Sequence, residues 1–297
     1  SSSAPLRTGE PDYFKVFERP VGQTLQVTSG RLDRLTLFFK RRTDQPATVT
    51  VTAHPAAHRT DFGDNTVLAE ATMAVDFDDA DIAAIPFDLA TDVATPFVRL
   101  AVTPSAPLYI GYTGREPYGV ALGAPSEDGG FVYHRGYHDE DIALWRYERG
   151  CYSFELSPVS TPFAPENVTN GVSRYYRTPN IWISDPAGDL PAWIEFDLGK
   201  PQPLACIHLT FDTDLDHPHV RHADTLVRHY RVLADDGEGE WREVLRVRDN
   251  RRRKRIHNLD EPVEARRVRV MATASWGLDE AHIYEVRLYG EPDRFEL

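Results

Sequence analysis

Ten short stretches of this chain alternate apolar and polar residues with a period of two, and this regularity restricts the fold more than any other feature. They are "RLTLFFKR" (31 to 38 and on), "ATVTVTAH" (47–54), "FVRLAVTP" (97–104), "LYIGYTG" (108–114), "WIEFDLG" (193–199), "ACIHLTF" (205–211), "HYRVLAD" (229–235), "WREVLRV" (241–247), "RRVRVMA" (266–272) and "IYEVRLYG" (283–290). Side chains on a strand point alternately to opposite faces, so each stretch offers one face to a core and the other to water. Polar clusters such as "PAGDLP", "DDGEGE" and "NLDEP" separate them. Short strands divided by polar turns specify an all-β chain of sandwiches rather than helices wrapped on a parallel sheet. Only "DFDDADIAAIPFDLAT" and "YHDEDIALWRYERG" have room for short helices.

At 297 residues the chain is long enough for two domains, each able to bury a core. Two punctuation zones compete as the boundary, "GAPSEDGG" (123–130) and "LSPVSTPFAPENVTNG" (156–171). The second carries Pro158, Pro162 and Pro165 and opens a new strand pattern, so the expected division is 1–157, a β-sandwich with a mixed connecting segment, and 158–297. Net charge is -13, with 14 basic against 22 acidic residues before the boundary and 19 against 24 after it. An acidic surface on both halves argues against nucleic acid or an anionic membrane as partner and suits neutral ligands or cations.

No apolar run approaches the ~20 residues that span a bilayer. The start, "SSSAPLRTGEPDYF", lacks both an initiating Met and the apolar core of a signal peptide, which suggests a processed chain or a piece of a longer one. Cys151 and Cys206 fall on opposite sides of the boundary and are expected to be two buried thiols.

Six features in order connect the second half to a known family: the loop "PENVTNGVSR", "IWISD", the strand "WIEFDLGK", "HYRVLADDGEGEWREV", "RRVRV" and the closing "YEVRLYG". Together they resemble the discoidin or coagulation-factor C-domain family, which includes the family 32 carbohydrate-binding modules. The run "NVTNGVSR…IWISD…WIEFDLGKP…LTFDTDLD" further resembles the C-terminal region of bacterial FAD-dependent oxidoreductases of glycan utilisation. The resemblance implies a jelly-roll-like, galactose-binding-like sandwich, so the expected fold is all-β with two jelly-roll-like β-sandwich domains. It also implies a structural calcium ion where the first loop meets the last strand, with Asn170, Ser173 and Glu285 as ligands and carbonyls around Val168 beside them. Oxygen donors suit calcium. Asn170 replaces the family's usual aspartate, and a loop held by asparagine hydrogen bonds alone is the alternative. Asn167-Val168-Thr169 spells an N-glycosylation acceptor, with an ordinary turn as its alternative.

Asp212, Asp214 and Asp216 imitate the start of an EF-hand, but His217 and Ala223 stand at its sixth and twelfth positions, where Gly and Glu are required. His217, His219 and His222 offer imidazoles to a transition metal, yet Pro218 stiffens the loop and one local loop seldom orients three imidazoles without outer partners. At the end of a discoidin-like sandwich the loop instead suits a rim where Asp216, His217, His219 and Arg221 meet sugar hydroxyls. A solvated loop or a docking surface remains open. Trp276, in the polar stretch "TASWGLDEAH", is the candidate stacking platform, whereas Trp182, Trp193 and Trp241 lie in strand patterns and are expected in a core or a domain contact. "RRRKR" (251–255) reads as a basic hairpin in an acidic protein rather than a nucleic-acid site.

Nucleophile elbow, Walker loop, HExxH and GxGxxG motifs are all missing, so no flavin or nicotinamide site is expected within this chain. The leading expectation is a non-catalytic carbohydrate-binding or accessory pair, partnered by a glycan or by the catalytic domain of a longer polypeptide, and extracytoplasmic in a bacterium. The alternative is a polysaccharide lyase or glycoside hydrolase with its site around His134, His138 and Glu140, in the stretch that also holds Trp145 and Tyr147. A purely structural interaction module is the third reading.

Overall fold

The computed structural model describes residues 2–77, 80–113, 120–126, 131–133, 137–139, 144–146, 150–174, 180–213 and 224–293. The chain divides into two compact units, one of residues 5–162 and the other of 1–4 with 163–297. The division thus falls five residues beyond Ser157, for a local reason. The Ser160 hydroxyl accepts from Thr28 N–H and donates to the Gln26 carbonyl, and Thr161 N–H donates to the Thr28 hydroxyl, which ties these residues to the first unit.

The first unit contains β1 (Tyr13–Phe17), β2 (Val21–Gln26), β3 (Arg31–Lys40), β4 (Ala47–Ala56), β5 (Ala69–Val75), β6 (Ile82–Asp92), β7 (Phe97–Pro104), β8 (Leu108–Thr113), β9 (Val120–Pro125), β10 (Phe131–Tyr133), β11 (Tyr137–Asp139), β12 (Leu144–Arg146), β13 (Cys151–Tyr152) and β14 (Phe154–Ser157). One antiparallel sheet runs β1-β8-β3-β14, with β6 on β3 and β13 on β8; another runs β10-β9-β2-β7-β4-β5. Leu35, Leu37, Phe39, Phe87 and Ile110 are buried on the first, and Leu25, Val49, Val51, Val98 and Leu100 on the second.

Strands, not helices, occupy the described residues of both stretches given room for helices. In β6, Ile85, Phe87 and Leu89 are buried while Ala84, Pro86 and Asp88 are exposed, a period of two that the flanking aspartates obscure. Pro86 is tolerated because β6 pairs only with β3 and so forms a sheet edge. Tyr137–Asp139 and Leu144–Arg146 pair antiparallel as a two-stranded ribbon.

The second unit contains β15 (Trp182–Ile183), β16 (Ala192–Phe211), β17 (Val227–Asp235), β18 (Arg242–Val247), β19 (Lys254–Ser275) and β20 (His282–Tyr289), in the order β15-β20-β16-β19-β17-β18. The two long strands serve both layers of a sandwich. Ala192 to Asp197 of β16 pair with Ala272 to Arg267 of β19, which continues to β17 and β18; Cys206 to Thr210 pair with Asn258 to Lys254 on one side and β20 on the other. The register breaks between Asp197 and Gln202. Gly199 sits there at φ 78°, a left-handed conformation suited to glycine, and its N–H donates to Asp197 Oδ1 at 2.8 Å. Ile194, Val232, Val268 and Val270 of one layer share a core with Ile207, Leu209, Ile283 and Val286 of the other, and Trp182 is fully buried among them. The described chain is thus all-β, with a sandwich in each unit.

Residues 2–4 pair with the second unit. Ser3 bridges Ser184, Ala4 N–H donates to the Ile183 carbonyl at 2.9 Å, and Asp185 N–H donates to the Ser2 carbonyl at 3.1 Å. Cys151 and Cys206 are both buried, and neither forms a disulfide.

Candidate functional site

At one end of the second unit three connections converge: the stems of the 212–224 segment, the 248–253 turn and the 276–281 turn. Asn250, only 1% exposed, organises them. Its Nδ2 donates to the carbonyls of Val227 (3.0 Å) and Arg252 (3.1 Å), its Oδ1 accepts from Arg252 N–H (3.1 Å), and its own carbonyl accepts from Trp276 Nε1 (2.7 Å). Trp276 N–H donates to the Leu226 carbonyl and Gly277 N–H to the Asp224 carbonyl, both at 3.1 Å. The returning stem of the expected ligand loop therefore lies beside Trp276. The loop residues Asp216, His217, His219 and Arg221, with His222, lie outside the described residues, as do His134, Glu140, Tyr147 and the side chains of His138 and Trp145.

Trp276 differs from the bare platform expected of it. It is partly buried and packs on the core, its indole N–H is held by Asn250, and the guanidinium carbons of Arg228 and Arg251 lie 4.5 and 4.8 Å from its ring centroid. Such stacking orients guanidinium groups and leaves their N–H forks available at the ring edges. Arg228 also pairs with Asp249 at 2.8 Å, which holds that carboxyl below its usual range. Arg253 donates to the Ser173 carbonyl and lies 5.5 Å above the Tyr284 ring. The run read as a basic hairpin thus contributes to this end of the sandwich.

The outgoing stem carries a feature without a sequence signal. His282, 2% exposed, hydrogen-bonds Asp212 Oδ2 through Nδ1 (3.2 Å) and Glu280 Oε1 through Nε2 (2.9 Å). A carboxylate beside each nitrogen favours the doubly protonated ring, in which both nitrogens donate. Burial alone lowers its pKa, but the bonds to Asp212 and Glu280 outweigh burial and raise it above the ordinary histidine value. Asp212, the first residue of the imagined metal loop, is a structural anchor.

Trp182 is in the core as expected, whereas Trp193 and Trp241 are partly buried on the outer sheet face, 5.3 and 4.2 Å from the Arg269 guanidinium, which also pairs with Glu195 at 2.8 Å.

Residues 156–286 match the model of the F5/8 type C domain. That stretch is a discoidin-type domain. Solved structures similar to this chain include the family 32 carbohydrate-binding module of Streptococcus pneumoniae EndoD (20% identity, 44% of this chain and 87% of that one, TM-score 0.37). Another is the family 32 module of C. perfringens NanJ in complex with galactose (18%, 41% and 81%, TM-score 0.32). A third is a family 32 module from Clostridium perfringens in complex with GalNAc-beta-1,3-galactose (13%, 44% and 83%, TM-score 0.34). No curated protein matches the chain.

The discoidin resemblance raises the question of calcium. The Asn170 loop does lie near the last strand, since the turn Pro165–Thr169 packs beside β20. The hydrogen bonds described around these residues are made within the chain. Asn170 Oδ1 accepts from Val172 N–H (2.8 Å), its Nδ2 donates to Asn180 Oδ1 (3.2 Å), and the Ser173 carbonyl is taken by Arg253. Glu285 is buried, but its Oε1 accepts from both Nε (2.8 Å) and Nη2 (2.5 Å) of Arg287. Among the described residues no group of three or more His, Cys, Asp or Glu is placed to hold a metal. These hydrogen bonds support the reading of a loop held by asparagine side chains, and Asn167 adds another by donating to the Ile181 carbonyl at 2.9 Å. A ligand at 100 times its dissociation constant stabilises by about 2.7 kcal/mol. Millimolar calcium is therefore expected to leave the melting temperature of the EDTA-treated chain unchanged, and a rise of several degrees would place an ion there.

Proposed function

We propose that the discoidin-type domain is a carbohydrate-binding module and that the chain serves as a non-catalytic accessory region of a glycan-active or flavin-dependent protein. The observation that carries this reading is the buried Asn250, which gathers Trp276 and the arginines of the 248–253 turn at the end where the 212–224 segment leaves and returns. Binding sites concentrate on connections held by a rigid scaffold, and aromatic rings with polar neighbours suit sugars. The match to the F5/8 type C domain over 156–286 supports the same reading.

The test is retention of the purified chain on a glycan array, with a polysaccharide panel run in parallel. Saturable binding to at least one glycan, without new reducing ends or unsaturated products, is expected. Failure to retain any glycan would overturn the module, and product release would replace it with a lyase or hydrolase. The accessory role predicts a catalytic domain in the same polypeptide or gene neighbourhood, with a dinucleotide-binding fingerprint if that domain uses flavin.

A further inference from the structure

The charge arrangement at the Trp276 end points beyond a neutral sugar. Although the chain carries a net charge of -13, the 248–253 turn sets Arg248, Arg251, Arg252 and Arg253 against Asp249 alone. Asp249 neutralises Arg228, and Asp212 with Glu280 surround His282, but Arg251 and Arg252 are exposed and no carboxylate forms a salt bridge with either among the described residues. Their placement is built rather than incidental. Buried Asn250 fixes the backbone of Arg252 from both sides, and the Trp276 ring supports the Arg251 guanidinium at 4.8 Å. A guanidinium fork matches a carboxylate in two parallel hydrogen bonds, which a hydroxyl cannot reciprocate. The acidic remainder of the surface repels long polyanions, so the arrangement favours a short ligand with one carboxylate to offer.

We propose that this edge selects acidic oligosaccharides, with Arg251 and Arg252 holding a sugar carboxylate while the ring lies against Trp276. The proposal rests on the reading of the domain as a glycan-binding module and names the class of glycan.

The experiment is calorimetric titration of the full chain with tri-galacturonate and with its fully methyl-esterified form, a pair chosen to contrast charged and neutral carboxyl groups. The acid is expected to bind at least about tenfold more tightly, since one charge-assisted pair contributes on the order of that factor. Raising sodium chloride from about 50 to about 500 mM should remove most of the difference by screening. Because both arginines are exposed, Arg251→Gln with Arg252→Gln should keep the melting temperature and equalise the two ligands. Equal affinities in the native chain, or a preference for the ester, would sink the charge assignment while the module survives. A preference persisting in the double variant would remove these two arginines from it. Binding of neither form, together with no retention on the array, would take down both readings.

Discussion

Replacing His282 by alanine is expected to destabilise the C-terminal sandwich by about 3–5 kcal/mol, the range found when one partner of a buried ionic group is removed. The substitution leaves the carboxylates of Asp212 and Glu280 facing each other across a site where their side chains are 3% and 15% exposed, without the imidazolium between them. The penalty comes from the stranded charges rather than from the net value of the bonds, so adding Asp212→Asn and Glu280→Gln should recover much of it. Urea unfolding followed by tryptophan fluorescence reads this directly, because four of the five tryptophans belong to the C-terminal unit.

The sign of the accompanying pH dependence is fixed. His282 has a higher pKa folded than unfolded, so its contribution is complete below the unfolded value near 6.5 and declines as pH rises through the folded one. The native protein should lose stability on that alkaline side, and the His282→Ala variant should show a flatter profile there. His257 acts on the opposite side. Burial first, then Arg255 and His208, lower its pKa to about 4, so its contribution is present above 6.5 and lost as pH falls toward 4. Identical alkaline slopes in native and variant proteins would show that His282 is not held as an imidazolium.

The second large effect belongs to Trp182. Trp182→Ala should cost about 3–5 kcal/mol, as for other fully buried large side chains, because the ring lies in the core between β15 and its neighbours at 0% exposure. Trp182→Phe should recover most of that loss. Its indole N–H has no hydrogen-bond partner among the described residues, so phenylalanine removes an unsatisfied donor while keeping much of the apolar volume. If the two variants were equally damaging, packing volume would not be the cause.

The parts of the fold legible in the sequence are those whose alternation is uninterrupted. Ile194, Phe196 and Leu198 facing one way and Glu195 and Asp197 the other define a strand from residue order alone, and all ten alternating segments coincide with strands. Three other parts are hidden, each for a physical reason. The aspartates around β6 mask a single-faced edge strand. The "NLDEP" cluster, whose composition suggests a turn, lies inside β19, where the pairing shifts register between Asn258 and Val263 and exposed residues are tolerated. At the site, Trp276 is identifiable from its polar surroundings, and Asn250 is not, because one asparagine in a basic turn carries no periodicity. Its importance comes from backbone carbonyls that only the folded chain brings together.

Residues 2–4 have a consequence for how this protein can be taken apart. Ser2, Ser3 and Ala4 hydrogen-bond beside β15, so these residues belong by contact to the discoidin-type unit although the 5–162 unit separates them from it along the chain. A gene fragment beginning at Phe163 discards those contacts and uncovers the backbone groups of Ile183 and Asp185. A recombinant module that replaces 5–162 with a short linker retains both segments, and it is the natural minimal unit for binding work.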